Sequence, residues 1–162
     1  MQSPIVERAM SLSRFDPSPA HRPPRAVAVA VATVLSVGLC LLADVLLVKI
    51  GTAVFPSTKG YVHFQFSDYS KLTIIGVIIA CLAWPVVARL TSDPRWVFVR
   101  LAVLVTVFLL LPDLYIWLQG QPGRAVLVLV AMHLAIALIT YNVLVHLAPV
   151  RRPATDAPIG QD

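Results

Sequence analysis

Three titratable residues, Asp44, Asp113 and His133, lie inside long apolar stretches of the sequence. A charged side chain at the centre of a bilayer costs about 2.5–3.5 kcal/mol, so such residues mark functional sites by default. At about 1.5 Å of rise per helical residue, Asp44 and Asp113 lie about 10 Å from the midpoints of their stretches, and His133 about 5 Å. All three fall in the same predicted half of the membrane, the outer one, so the sequence predicts an intramembrane polar cluster.

Two roles are open to this cluster. Asp44, Asp113 and His133 can bind an ion or a small polar ligand or relay a proton. Alternatively, their role is structural. His133 then donates to Asp44 or to a carbonyl and holds helices together, at about 0.6–2 kcal/mol, and Asp113 accepts hydrogen bonds from backbone groups freed by Pro112. The sequence by itself favours this second role. One helical face supports the cluster, because four small or polar residues share it. They are Thr33, Ser36, Cys40 and Asp44.

Motifs for other chemistries are missing from the sequence. A haem between helices needs histidines on two facing helices, whereas His133 and His146 share one stretch. Cys40 and Cys81 stand alone, without the Cys-x-x-Cys spacing of a thiol oxidoreductase or the four ligands of a zinc site. There is no nucleotide-binding loop, nucleophile elbow or zinc-protease motif. We therefore expect no enzymatic activity, no cofactor and no metal.

The composition indicates an integral membrane protein. Of 162 residues, 58% are hydrophobic and 13% charged, and the mean hydropathy is +0.82. Soluble domains carry about 25% charged residues. The net charge of +5 comes from basic residues that flank apolar stretches, without interleaved stacking aromatics, so nucleic acid is not the expected partner.

Four apolar stretches reach the roughly 20 residues that cross a hydrocarbon core of about 30 Å. The predicted fold is therefore all-α, with four transmembrane helices in an antiparallel bundle, at about 26–50, 71–90, 96–118 and 124–148. These form one transmembrane domain over 26–148, with an outer aromatic loop at 51–70. The proline-rich ends, 1–25 and 149–162, are predicted to be a disordered arm and tail.

The basic residues predict the orientation. If the N-terminus is inside, nine of the 13 Lys and Arg lie in inside segments and four in outside segments. This excess predicts a multi-pass protein with both termini in the cytoplasm. The arm's four arginines are spread over eighteen residues, from Arg8 to Arg25, which is too dispersed to predict lipid-specific recognition.

The outer loop is rich in aromatic residues. Residues 61–66 alternate in a way that predicts a short strand or an extended segment on the membrane surface. The aromatic rings can form an interfacial belt, or the loop can dock a partner protein. The candidate docking residues are Phe55, Tyr61, His63, Phe64 and Phe66.

Three short segments carry a family resemblance: Trp84-Pro85-Val86-Val87-Ala88-Arg89-Leu90, Leu111-Pro112-Asp113 and Met132-His133-Leu134. Over about residues 26–148 the chain resembles a domain-of-unknown-function family of small four-helix membrane proteins, found mainly in high-GC Gram-positive bacteria. The resemblance implies a four-helix membrane fold and a plasma-membrane location, and it matches His133 to the family's helix-four histidine. It implies no activity.

The expected function is that of a non-enzymatic accessory or structural subunit of a membrane complex. Helices in lipid associate through small residues and polar contacts, so Gly38 and Gly76 are expected to supply close contacts. The expected partners are the lipid bilayer and either a second copy of the chain or another membrane protein. The alternative is a transporter or channel subunit that uses the polar cluster in the outer half of the bilayer.

Overall fold

The computed structural model describes residues 22–151, which form four α helices. In chain order these are α1, Ala26–Val54; α2, Phe66–Leu90; α3, Pro94–Leu118; and α4, Gly123–Leu147. All four are long and apolar enough to cross a membrane, which confirms the all-helical prediction. Most of the predicted arm and tail, 1–21 and 152–162, lies outside the described residues.

The loop between α1 and α2 is shorter than the predicted 51–70. Helix α1 continues to Val54, and the Thr52 hydroxyl donates to the Val48 carbonyl at 2.9 Å. It ends just before Pro56, because a residue that precedes proline disfavours helical angles. Helix α2 begins at Phe66, with Asp68 in its first turn, where the negative charge of a carboxylate interacts favourably with the helix dipole. The loop is therefore 55–65.

The prediction of a short strand or an extended segment at 61–66 is wrong. Residues Val62–Phe64 form a 3₁₀ turn, in which side chains three apart lie on the same side. The rings of Tyr61 and Phe64 meet edge to face at 5.2 Å and pack against apolar residues of the helices. Contacts between aromatic rings and burial thus outweigh the alternating pattern.

The helices pack around two apolar clusters. In the first, Trp84 is fully buried, lies 4.9 Å from the ring of Phe98 and donates its indole N–H to the Ala148 carbonyl at 2.8 Å. In the second, Tyr69 and Met132 lie beneath the 55–65 loop with Val128 and Leu129. Helix α1 contributes to both clusters, and Asp44 lies on it between its contributions to the two.

The close approach of α1 and α4 depends on Gly51. A Cβ atom added at Gly51 would lie 2.5 Å from Val128 Cγ2. By contrast, a Cβ at Gly38 or at Gly76 would meet no atom within 4 Å. Within residues 22–151, Gly51 therefore provides a close helix contact, and Gly38 and Gly76 leave open space beside their helices.

Gly51→Ala is expected to lower the free energy of unfolding by about 1–3 kcal/mol, because the new methyl group overlaps Val128. Thermal unfolding in detergent micelles, followed by circular dichroism, measures the change. The same substitution in a Val128→Ala background is expected to cost much less. Gly38→Ala is the matched control, and its stability is expected to be unchanged or slightly higher, since alanine favours helix. Equal losses from Gly51→Ala and Gly38→Ala would contradict the packing argument.

Candidate functional site

Asp44 lies fully buried on α1, and one of its two carboxylate oxygens is hydrogen-bonded. Its Oδ2 accepts a hydrogen bond from the Thr73 hydroxyl of α2 at 2.7 Å. Its Oδ1 is also buried and makes no hydrogen bond to the described residues. The bonded partner of Asp44 is therefore Thr73, which the sequence reasoning missed. Of the two acceptors predicted for His133, Asp44 makes no hydrogen bond with it in the described part of the chain, and the carbonyl is that of Leu129 in the same helix.

Asp113 and His133 form a second polar pair, between α3 and α4. His133 Nδ1 lies 3.1 Å from Asp113 Oδ2 and 3.0 Å from the carbonyl of Leu129, one turn earlier in its own helix. One N–H cannot point directly at both oxygens, and Asp113 Oδ2 makes no hydrogen bond of good geometry within residues 22–151. The contact is therefore mainly electrostatic, and its strength depends on whether His133 is protonated.

The two pairs and the loop share one region. Asp44 adjoins Val45 and His133 adjoins Met132, and Val45 and Met132 both belong to the second apolar cluster. Tyr61, from the 55–65 loop, brings a buried hydroxyl that makes no hydrogen bond to described residues. Burial and the nearby Asp113 carboxylate raise the pKa of Tyr61, so its hydroxyl stays protonated. Thr73 and Tyr61 thus join the predicted cluster of Asp44, Asp113 and His133, and from here on the polar cluster means all five residues.

The polar face of α1 continues from Asp44 towards the other end of the helix. Ser36 and Cys40 are fully buried, and Thr33 is half-buried. The Cys40 thiol lies 3.6 Å from the hydroxyl of Thr140 on α4. The Cys81 thiol of α2 lies beside the Thr33 and Ser36 hydroxyls. We call Thr33, Ser36, Cys40 and Asp44 the polar file.

Both cysteines are free thiols. Within residues 22–151, no three His, Cys, Asp or Glu side chains lie close enough together to hold a metal ion. The polar cluster and the polar file offer hydroxyls, a thiol, two carboxylates and the His133 imidazole. All of these exchange protons or hydrogen bonds.

The five candidate docking residues divide into two groups. Phe55, Tyr61 and Phe64 are half-buried: Tyr61 and Phe64 cover the second apolar cluster, and the Arg124 guanidinium lies 5.6 Å from the Phe55 ring. His63 and Phe66 are exposed. Most of the loop's aromatic surface thus covers the helices, and a smaller part faces outwards.

Four helices long enough to cross a membrane, with ionisable side chains buried between them, define a small multi-pass membrane protein. A family of unknown function (DUF6069) matches residues 17–149, and the chain belongs to this family. The comparisons with curated proteins and with solved structures gave no match.

Proposed function

We propose that the chain is a multi-pass protein of the bacterial plasma membrane, with antiparallel helices and both termini in the cytoplasm. Gly51, near the end of α1, lies against Val128, near the start of α4. Arg22, before α1, pairs with Arg151, after α4. Contacts in this reversed order support antiparallel packing. The excess of arginine at the end with the termini supports the cytoplasmic assignment.

Within that membrane, the proposed activity is proton passage, as a non-enzymatic transporter or channel subunit. The observation that carries this proposal is the carboxylate of Asp44, which is fully buried and whose Oδ1 bonds to none of residues 22–151. Leaving a buried polar atom unbonded costs about 1–3 kcal/mol, and more when the group is charged. A residue that only joined helices would not need a charge, because asparagine can accept the same bond from Thr73. The geometry thus favours a functional site over the structural role that the sequence favours.

The polar file suggests a direction for the proton. From residue 33 to residue 44 it extends about 16 Å, roughly half of a hydrocarbon core of about 30 Å. Hydroxyls and thiols both donate and accept hydrogen bonds, so each can exchange a proton with a group that comes within hydrogen-bond distance. Among residues 22–151, the Cys40 thiol lies near the Thr140 hydroxyl, and the Ser36 hydroxyl makes no hydrogen bond. Asp44 and His133 can each hold a proton at the end of the file that faces the 55–65 loop.

Proton flux in liposomes tests this proposal. The full chain is reconstituted with a trapped pH-sensitive dye, and a potassium gradient with valinomycin supplies the driving force. The wild type is expected to carry protons, and Asp44→Asn is expected to fall to the rate of empty liposomes. Asp68→Asn, at an exposed position in the first turn of α2, is the matched control and is expected to keep the wild-type rate. Equal flux in the wild type and in Asp44→Asn would refute the proposal.

A second candidate is the accessory subunit of a membrane complex. The open space beside Gly38 and Gly76 favours it, because small residues let a helix of another subunit approach closely. The exposed side chains of His63 and Phe66 offer a further contact. Native mass spectrometry of the protein, gently extracted from its own membrane, tests this candidate. A discrete complex that survives Asp44→Asn but is lost in Gly38→Leu would support it, and a monomer free of other proteins would contradict it.

A further inference from the structure

Arg22 and Arg151 face each other at the ends of the membrane domain. The backbone N–H of Arg22 donates to the Arg151 carbonyl at 2.9 Å, and the backbone N–H of Arg151 donates to the Arg22 carbonyl at 3.1 Å. Residues that exchange both hydrogen bonds in an antiparallel bridge have Cα atoms about 5.5 Å apart and side chains on the same face. The bridge therefore places the side chains of two arginines that are far apart in the sequence on the same face.

This pairing of like charges has no compensating partner in the described chain. Like charges directly opposite each other on two strands are destabilising. No carboxylate of residues 22–151 forms a salt bridge with either arginine, and both are exposed. The Arg151 Nε donates to the Pro23 carbonyl at 3.1 Å, which orients that guanidinium and leaves its two Nη groups available.

The surroundings add positive charge. Arg25 is exposed at the N-cap of α1, and the first turn of that helix has neither a side-chain cap nor an acidic residue. Arg22 precedes the first residue of α1 by four positions, and Arg151 follows the last residue of α4 by four. If these helices span the bilayer, the patch lies at the height of the lipid phosphates.

We propose that Arg22, Arg25 and Arg151 form a binding site for the phosphate of an anionic phospholipid. Guanidinium groups bind phosphate oxygens through paired, charge-assisted hydrogen bonds. A phosphate between Arg22 and Arg151 offsets their repulsion and holds the two terminal segments together. Arg22 and Arg25 belong to the arm, whose four arginines are too dispersed to form such a site by themselves, but the fold brings Arg151 beside Arg22 from the other end of the domain. This site is separate from the polar cluster and independent of proton flux.

Native mass spectrometry of the full chain in detergent tests the site, with phosphatidylglycerol and phosphatidylcholine titrated in parallel. We expect one phosphatidylglycerol to be retained about tenfold more tightly than phosphatidylcholine, and this preference to disappear in Arg22→Gln/Arg151→Gln. Arg100→Gln is the matched control, since Arg100 is exposed on α3 with its guanidinium 3.3 Å from the centre of the Trp96 ring. It is expected to retain the preference.

Two further measurements make the result decisive. Arg22→Lys keeps the charge but loses the forked donor, so we expect an intermediate affinity. Circular dichroism confirms that each variant is folded. An unchanged preference in the folded double variant would overturn the proposal. Displacement of the lipid by millimolar inorganic phosphate would also overturn the assignment to a lipid, because free phosphate would then be the preferred ligand.

Discussion

Trp84→Ala is expected to lower the free energy of unfolding by about 2–4 kcal/mol. Trp84 is fully buried, packs against Phe98 and donates a hydrogen bond to the Ala148 carbonyl. Truncating a buried tryptophan costs about 3–5 kcal/mol in a water-soluble core. Part of that cost is the free energy of transferring the side chain from water, and this part is absent between helices in lipid. The lost packing contacts and the unbonded Ala148 carbonyl still cost free energy.

The measurement is unfolding by sodium dodecyl sulfate in mixed micelles, followed by circular dichroism. Trp117→Ala is the matched control, because Trp117 is 53% exposed on α3, and its stability is expected to change little. Trp84→Phe keeps a ring but loses the N–H donor, so it should cost about 1 kcal/mol for the hydrogen bond, plus a smaller packing loss. If Trp84→Ala and Trp117→Ala destabilised the protein equally, the first apolar cluster would not be what holds α2 to the end of α4.

His133→Leu is expected to destabilise the protein by about 2–3 kcal/mol, and Asp113→Leu/His133→Leu is expected to recover most of that loss. Asp113 is only 6% exposed, so removal of His133 leaves a buried carboxylate without a counter-charge. Breaking a fully buried pair costs about 3–5 kcal/mol. We expect a smaller cost because the His133 side chain is 28% exposed and solvent or headgroups can reach the site.

A double-mutant cycle measures the coupling energy between Asp113 and His133. Neutral hydrogen bonds between membrane helices average about 0.6 kcal/mol and reach about 2 kcal/mol, so a coupling clearly above about 2 kcal/mol indicates a charged pair. The matched neutral pair is Cys40 and Thr140, at 3.6 Å, whose coupling should stay near the neutral value. A coupling of about 0.6 kcal/mol or less for Asp113 and His133 would mean that the pair is uncharged, and His133 would then be only a helix contact.

The four helices are predictable from the sequence because the constraint that lipid imposes applies to each stretch of the chain separately. Backbone groups in lipid must bond within their own segment, so an apolar stretch of about 20 residues must be helical. The ends of α1 and α2 at the 55–65 loop are less predictable. Polar and aromatic residues from Gly51 to Ser70 have weak preferences, and their conformation depends on packing, such as that of Gly51 on Val128 and of Tyr61 on the second apolar cluster.

The height of each polar residue follows from its position along a helix, so the similar depths predicted for Asp44, Asp113 and His133 need only the sequence, and the 3.1 Å contact between Asp113 and His133 agrees with them. The shared face of Ser36, Cys40 and Asp44 also follows from the sequence, since helical periodicity needs no neighbour. Which groups meet depends on the tertiary structure, because the rotation of each helix about its axis and its distance from its neighbours come from side-chain packing. That packing pairs Asp44 with Thr73, puts Gly51 rather than Gly38 at the α1–α4 contact, and brings Arg22 to Arg151.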